Sequence, residues 1–141
     1  MSATSRRGTP RSCGRSGPLR STAAHSRRSA TRETGRAAER RAWWYYRLRG
    51  YRILETNVWV GGYELDLVVR RGRRVIFCEV KSKGGGAFGE AVEMVDAEKQ
   101  RRIRRAADAW LAAHPEHTGL DVSFDVISVQ EGRLVRLAEA F

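Results

Sequence analysis

The sequence predicts one small α/β domain in which two helices flank a mixed sheet, in the order α-β-β-β-α-β-β. Its 141 residues are enough for one compact domain and hardly for two. Two stretches carry apolar residues at helical spacing, and five short stretches are rich in branched apolar residues between turn signals. A helix between the third and fourth strands implies a parallel right-handed crossover, which makes the sheet mixed.

Residues 1–33 are predicted to be a disordered basic tail that precedes the domain at residues 34–141. The tail is rich in serine, arginine, threonine and glycine, so it cannot bury enough apolar surface to offset the entropy of ordering. It lacks the apolar helical stripe of an organellar transit peptide. Its composition does not separate a weak grip on phosphates from an extension without a role.

The chain is strongly basic, with a formal net charge of +11 and a pI of about 10.9. Residues 1–34 contain eight arginines and one glutamate, a net +7, which leaves +4 of the +11 for residues 35–141. This balance favours a polyanionic partner, and nucleic acid is the commonest one.

The cysteine and apolar patterns indicate a cytoplasmic protein without membrane attachment. Cys13 and Cys78 form neither a disulfide framework nor a CxxC pair, which suits a reducing compartment. No run of 18 apolar residues predicts a membrane span. No apolar segment follows the basic start, so a secretory signal is not expected.

The first helix is predicted to begin at Thr34 or Gly35 and to end near Arg49, where Gly50 stops it. Its apolar side includes Ala38 and Ala42. Four consecutive aromatics at positions 43–46 cannot all be buried on one helix face. We expect at least two to pack in the core and an exposed one to be available for stacking on a base or for a dimer contact.

Three strands are predicted at residues 51–59, 63–70 and 74–81, separated by Gly61-Gly62 and Arg71-Gly72-Arg73. The third strand is apolar on both faces, so it is expected to be central and covered on both sides. A second helix over residues 96–113 has Asp96 as its N-cap and one buried stripe. Strands at residues 122–129 and 133–137 complete the domain.

The pattern with chemical meaning is Glu64-Leu65-Asp66 on one strand and Glu79-Val80-Lys81 on the next. Strict alternation would place Glu64 and Asp66 on one face, opposite Leu65 and Leu67. If the strands form a hairpin, three acids and one lysine lie side by side on otherwise apolar strands. Burying carboxylates there is costly unless a cation is present.

These residue types suit a magnesium or manganese site. Mg²⁺ prefers oxygen ligands and takes one or two carboxylates plus water and phosphate, which fits Asp66 and Glu79. Lys81 could orient or deprotonate a water, or neutralise charge on the phosphorane. Glu39 on the first helix could reach the metal through a water. The structural alternative is a salt-bridge ladder of Asp66 or Glu79 with Lys81, and the isolated pattern would favour that. The whole set favours the metal site, because the acids interrupt apolar strands, a lysine follows Glu79 at i+2 and a helix that carries Glu39 precedes them.

The second helix begins with a cluster of positive charge that includes Lys99, Arg101 and Arg102. These side chains could hold a phosphate backbone beside the site. The alternative is a solvated helix face. Lys99 favours the DNA contact because it is nearest the helix start, and the arginines fit both interpretations equally.

Over about residues 35–141 the chain resembles the YraN-like family of small bacterial proteins. The resemblance is carried by these segments: Glu39-Arg40-Arg41-Ala42, Gly50-Tyr51-Arg52-Ile53-Leu54, Asn57, Gly62-Tyr63-Glu64-Leu65-Asp66-Leu67-Val68, Phe77-Cys78-Glu79-Val80-Lys81, Ala91-Val92, Lys99-Gln100-Arg101-Arg102 and Phe124-Asp125-Val126. One departure is Tyr63, where a Gly-Glu pair before the Leu-Asp would be more typical.

The resemblance implies a restriction-endonuclease-like fold, similar to that of archaeal Holliday junction resolvases. It implies a D…ExK site of Glu39, Asp66, Glu79 and Lys81. The function expected is therefore Mg²⁺-dependent hydrolysis of DNA, with branched or structured DNA favoured by analogy alone.

Two other functions compete with this one. The first is a non-catalytic nucleic-acid-binding module, and the second is an adaptor whose role depends on a protein partner. A twofold homodimer would suit a four-way junction, but the sequence does not fix the oligomeric state.

Overall fold

The computed structural model describes residues 23–82 and 95–141, with side chains from Thr34 onward. It contains a five-stranded mixed sheet between two helices, which confirms the predicted α/β class and element order. The elements are α1 (Ala23–Leu48), β1 (Arg52–Val60), β2 (Tyr63–Arg71), β3 (Arg74–Lys81), α2 (Ala97–Ala113), a 3₁₀ turn (Pro115–His117), β4 (Asp121–Gln130) and β5 (Arg133–Leu137).

The strands lie in sequence order, β1-β2-β3-β4-β5. Neighbouring strands are antiparallel, except that β3 and β4 are parallel, as predicted from the helix between them. The central strand β3 is covered on both sides: Val75 and Phe77 pack under α2, while Ile76 and Cys78 pack under α1. Within the described residues, no helix combines the length and apolarity needed to cross a membrane.

Helix α1 begins at Ala23, earlier than the predicted start at Thr34 or Gly35. No proline interrupts this stretch, and alanine and arginine are strong helix formers, so the helical backbone extends into the segment predicted to be disordered. Residues 1–22 of that segment lie outside the described residues, and the domain boundary at residue 34 stays a prediction.

Helix α1 ends at Leu48, close to the end predicted near Arg49. Gly50 adopts φ +79° and donates its N–H to the carbonyl of Arg47, while Tyr51 donates to the carbonyl of Tyr46. These two bonds form a Schellman cap, which closes the helix and turns the chain into β1. Among the four aromatics at positions 43–46, Tyr46 is fully buried in the core and Trp44 is exposed to solvent.

Helix α2 packs its predicted stripe against the sheet. Ile103, Ala106, Ala107 and Trp110 are buried at spacings of three and four residues. The N-cap is Asp96, whose carboxylate accepts the backbone N–H of Lys99 at 2.7 Å. This cap fixes the position of the first turn, and therefore of Lys99, relative to the sheet.

A fully buried carboxylate, Asp125 on β4, joins the α1 side of the sheet to the end of the chain. It accepts the Tyr46 hydroxyl and the Arg136 Nε at 2.7 Å each, the Glu139 N–H at 3.1 Å and the Ser123 hydroxyl at 3.3 Å. Burying a carboxylate is tolerated when hydrogen bonds and a paired charge replace its hydration. Asp125 is therefore a saturated structural residue.

The turn between β1 and β2 brings the backbone close to α2. Gly61 and Gly62 both have positive φ values, +60° and +79°, as a two-residue type I′ turn requires. A Cβ added at Gly61 would lie 3.0 Å from the Cα of Ala106 and 3.1 Å from the carbonyl oxygen of Arg105, whereas nothing lies within 4 Å at Gly62. The contact holds the first strand pair against α2.

We expect Gly61→Ala to lower the free energy of unfolding by roughly 1 to 3 kcal/mol more than Gly62→Ala does, because only position 61 adds overpacking to the cost of positive φ. Urea unfolding of the two variants measures this. Equal losses at both glycines would contradict the close approach to α2.

Candidate active site

The centre of the candidate site is Asp66, at the point where pairing between β2 and β3 ends. The two strands pair from Arg71 opposite Arg74 as far as Leu67 opposite Cys78. Beyond this point the N–H of Val80 donates to the Asp66 carboxylate at 2.8 Å. The side chain of Asp66 thus occupies a position that a backbone carbonyl holds elsewhere in an antiparallel ladder.

The alternation of β2 breaks at the same residue. Leu65 packs in the core under α2, whereas Leu67 packs in the core under α1. The prediction that Leu65 and Leu67 share one face, opposite Glu64 and Asp66, was therefore wrong. The reason is local: a strand can change faces where its ladder is interrupted, and the interruption occurs at Asp66.

Glu79 and Lys81 lie on the α2 side of the sheet. Glu79 is buried, and its Oε1 is 2.9 Å from the Nζ of Lys81 and 2.5 Å from the Nζ of Lys99. Burial lowers the pKa of Lys81, and the neighbouring Lys99 lowers it further against the attraction of Glu79. A lysine with a lowered pKa can exchange a proton closer to neutral pH than an exposed one can.

Lys99 extends from the first turn of α2 into the site. Its ammonium contacts Glu79, and burial, which lowers its pKa, is outweighed by that bond, so the pKa is raised overall. Tyr63 lies within electrostatic range of the same lysine and of Glu79. Burial together with the charge of Glu79 raises the pKa of its hydroxyl, and Lys99 opposes this shift. The sequence could not predict that Tyr63 and Lys99 lie close together, because they belong to β2 and α2, which are far apart in the chain.

Arg101 and Arg102, by contrast, are exposed on α2. Arg102 forms an i,i+4 ion pair with Glu98. Their role in holding nucleic acid stays a prediction.

Glu39 approaches from the opposite side of the sheet, on α1. Its carboxylate accepts the side-chain amide of Asn57 at 3.1 Å, and Asn57 has the positive φ of +50° that asparagine tolerates better than most residues. Glu39, Asn57 and Asp66 line one cavity of about 260 Å³ between α1 and the sheet. Glu39 therefore shares a cavity with Asp66, and Glu79 and Lys81 lie across the sheet from it.

The titration of Asp66 is strongly altered. Burial raises its pKa to about 7, repulsion from Glu79 raises it as well, and the bond from the Val80 amide opposes both. Repulsion from Glu39 adds a smaller contribution. Asp66 thus interacts electrostatically with the acids on both sides of the sheet, although the two sides do not meet.

These oxygen donors fit a hard divalent cation. A cation next to Asp66 and Glu79 would relieve the repulsion between them, and Mg²⁺ needs only one or two carboxylates because it retains water. Among residues 23–82 and 95–141, no three histidine, cysteine, aspartate or glutamate side chains are arranged to hold one metal ion. The ligand set of Glu39, Asp66 and Glu79 is therefore not preassembled and stays a prediction.

The raised pKa of Asp66 predicts a pH-dependent gain from Asp66→Asn, whose amide oxygen can still accept the Val80 N–H. The folded state binds the Asp66 proton more tightly than the unfolded state, so the associated stability is full at low pH and is lost as pH rises through about 7. We expect Asp66→Asn to gain roughly 1 to 3 kcal/mol over wild type between pH 5 and pH 8.

Urea unfolding in EDTA at both pH values tests this expectation. Glu64→Gln, which removes an exposed carboxylate from the same strand, is the matched control and should show no such gain. A gain from Asp66→Asn that is equal at the two pH values would contradict the shifted pKa.

Comparison with known proteins places this chain in a family. The model described as "Uncharacterised protein family UPF0102" matches residues 38–129, a segment that contains all four residues of the candidate D…ExK site. A UPF0102 protein of Methylorubrum extorquens (strain PA1) is 41% identical over 117 residues, which cover 82% of this chain and 90% of that protein.

Two further relatives agree. A UPF0102 protein of Nitrobacter winogradskyi is 39% identical over 109 residues, covering 77% of this chain and 91% of that protein. One from Frankia alni is 49% identical over 80 residues, covering 57% and 66% respectively. The chain therefore belongs to the UPF0102 family, the YraN family that its sequence motifs resemble.

Proposed function

We propose that this protein is a metal-dependent nuclease that hydrolyses phosphodiester bonds in DNA. The observation that carries the proposal is the arrangement around the interrupted β2–β3 ladder: a carboxylate with a pKa of about 7, Asp66, interacts with Glu79, which is bonded to Lys81. Hydrolysis needs an activated water and neutralisation of charge on the phosphate, and these residue types supply both.

In this proposal each side chain has a separate role. Asp66 and Glu79 would hold Mg²⁺ or Mn²⁺, with Glu39 supporting them through a water. When bound, the metal polarises the phosphate and acidifies a coordinated water. Lys81, whose pKa is lowered, accepts the proton of the attacking water or neutralises the phosphorane. The new bond joins the water oxygen to phosphorus, the bond to the leaving sugar oxygen breaks, and that oxygen takes up a proton.

Lys99 adds a positioning role in the proposed enzyme. Its ammonium and that of Lys81 both contact the Oε1 of Glu79, so without metal the carboxylate is held by two cations. The Oε2 of Glu79 takes part in neither of these ion pairs, so a divalent ion could bind there, where both ammonium groups would repel it. If this repulsion moves Lys99 away, its ammonium would be available to a phosphate oxygen, in keeping with the DNA contact that the sequence suggested.

DNA as substrate is supported by the basic surface beside the site, including exposed Arg101 and Arg102 on α2. Branched DNA, and a homodimer that would match a four-way junction, rest on the resemblance to junction resolvases alone.

A second candidate function is a non-catalytic DNA-binding module. It is favoured by the full occupation of one Glu79 oxygen by two ammonium groups. This alternative predicts salt-sensitive binding with no metal-dependent cleavage.

The decisive experiment is a cleavage assay with Mg²⁺ or Mn²⁺ on linear, flapped and four-way DNA. We expect cleavage by the wild type, and a loss of about 10²- to 10⁴-fold in Asp66→Asn and Lys81→Met, since each removes a group that acts in the reaction. Glu64→Gln is the charge-matched control. Cleavage that survives Asp66→Asn would point to another site, and salt-sensitive binding without cleavage on any substrate would favour the binding module.

A separate expectation concerns metal affinity. In Lys99→Met one ammonium no longer competes for Glu79, so the dissociation constant for Mn²⁺, measured by calorimetry without DNA, should fall several-fold. Arg74→Met also removes one cation that is paired with a carboxylate, but at the surface. It should leave the constant unchanged. Equal values for Lys99→Met and wild type would contradict competition at Glu79.

A further inference from the structure

We propose that the cavity between α1 and the sheet receives one unpaired nucleoside of the DNA, next to a phosphate at the proposed metal site of Asp66. This inference rests on the proposed function and adds to it a substrate class, namely DNA with an unpaired nucleotide at the cleavage position. The cavity measures about 260 Å³, and Asp66 lies in its wall. A phosphate at Asp66 would therefore have this cavity beside it.

One face of α1 builds the outer wall of the cavity. Arg36, Glu39, Arg40 and Trp43 line it at spacings of three, four and seven residues, which places them on one side of a helix. The first three are charged and the fourth is aromatic. The wall thus combines a guanidinium pair, a carboxylate and an aromatic side chain within two turns.

The apolar part of the lining suits a base more than an ion. Trp43 is half-buried against the α1 core, and Leu67 and Val80 lie across the cavity on the sheet. A hydrated metal ion gains nothing from such surfaces, whereas stacking of a base on an aromatic side chain is favourable for every base. Thr56 and Asn57 add a hydroxyl and an amide that can bond base edges.

The two arginines are placed to hold the backbone on either side of the inserted nucleoside. Arg36 and Arg40 are exposed, and within the part of the chain that the structure describes neither takes part in a salt bridge. A guanidinium forms bidentate bonds with phosphate oxygens. Such contacts fix the strand without reading its sequence.

A base in a continuous duplex has to leave the helix stack to enter this cavity. The base is stacked between neighbours and paired, and the cavity is bounded by a helix on one side and the sheet on the other. Entry requires the base to leave the stack, and that step costs least where the nucleotide is already unpaired. Flaps, bulges and junction ends offer such nucleotides, and intact duplex does not.

Binding of single-stranded oligonucleotides with Ca²⁺ in place of Mg²⁺, which keeps a divalent cation available to the carboxylates, tests this inference. An abasic site is moved one position at a time along the strand, and affinity is measured by fluorescence anisotropy. We expect removal of the base at one position to weaken binding roughly 5- to 150-fold, as loss of one stacked base does. Trp43→Ala should bind the intact strand more weakly and lose the dependence on that base, and Trp43→Phe should retain part of it.

Trp59→Ala is the matched control, because Trp59 is an exposed tryptophan on β1 that does not line the cavity. It should preserve the dependence on the base. Affinity in wild type that is indifferent to the abasic site at every position would overturn the inference, whether or not the protein cleaves DNA. Equal cleavage of intact duplex and of duplex with a bulged nucleotide would overturn it as well, whereas absence of any cleavage overturns only the proposed function.

Discussion

The hydrogen bond from the Val80 N–H to the Asp66 carboxylate is the interaction on which the candidate site depends. Because a side chain takes the place of a ladder carbonyl, the sheet opens between β2 and β3 without leaving this amide unpaired. Leu65 and Leu67 then pack on opposite sides. Asp66 is therefore held at the level of the sheet itself, where it interacts with Glu39 on α1 and with Glu79 on β3.

The two sides of the sheet supply different chemistry to that carboxylate. On the α2 side, Glu79 is neutralised by two lysines and shielded from water. On the α1 side, Glu39 is bonded to an exposed asparagine and faces a cavity. Glu79 and the two lysines, which could move protons, thus lie on one side of the sheet, and the cavity that could receive a ligand lies on the other. Asp66 lines the cavity and also interacts with Glu79.

Most of the fold followed from sequence periodicity, because both helices bury regular stripes and the three middle strands, β2, β3 and β4, bury most of their apolar residues. Residue types also identified Asp66, Glu79 and Lys81, since acids that interrupt apolar strands are costly. Asp125 also interrupts an apolar strand, and only coordinates separate the two cases: Asp125 is saturated by four donors, whereas Asp66 receives one hydrogen bond from the described residues. The change of face at Asp66 and the convergence of Lys99 on Glu79 depend on tertiary packing, which spacing does not encode.

The bond between Tyr46 and Asp125 joins residues that are 79 positions apart in the chain. During synthesis α1 is completed long before β4 exists, so the Tyr46 hydroxyl must wait for the strand that carries its acceptor. Contacts of such long range slow the search for the native state. The same helix face also packs against Leu67 and Val69 on β2 and against Ile76 and Cys78 on β3. The buried hydrogen bond at Asp125 therefore cannot form before β4 is synthesised, whereas packing of α1 on the first strands can.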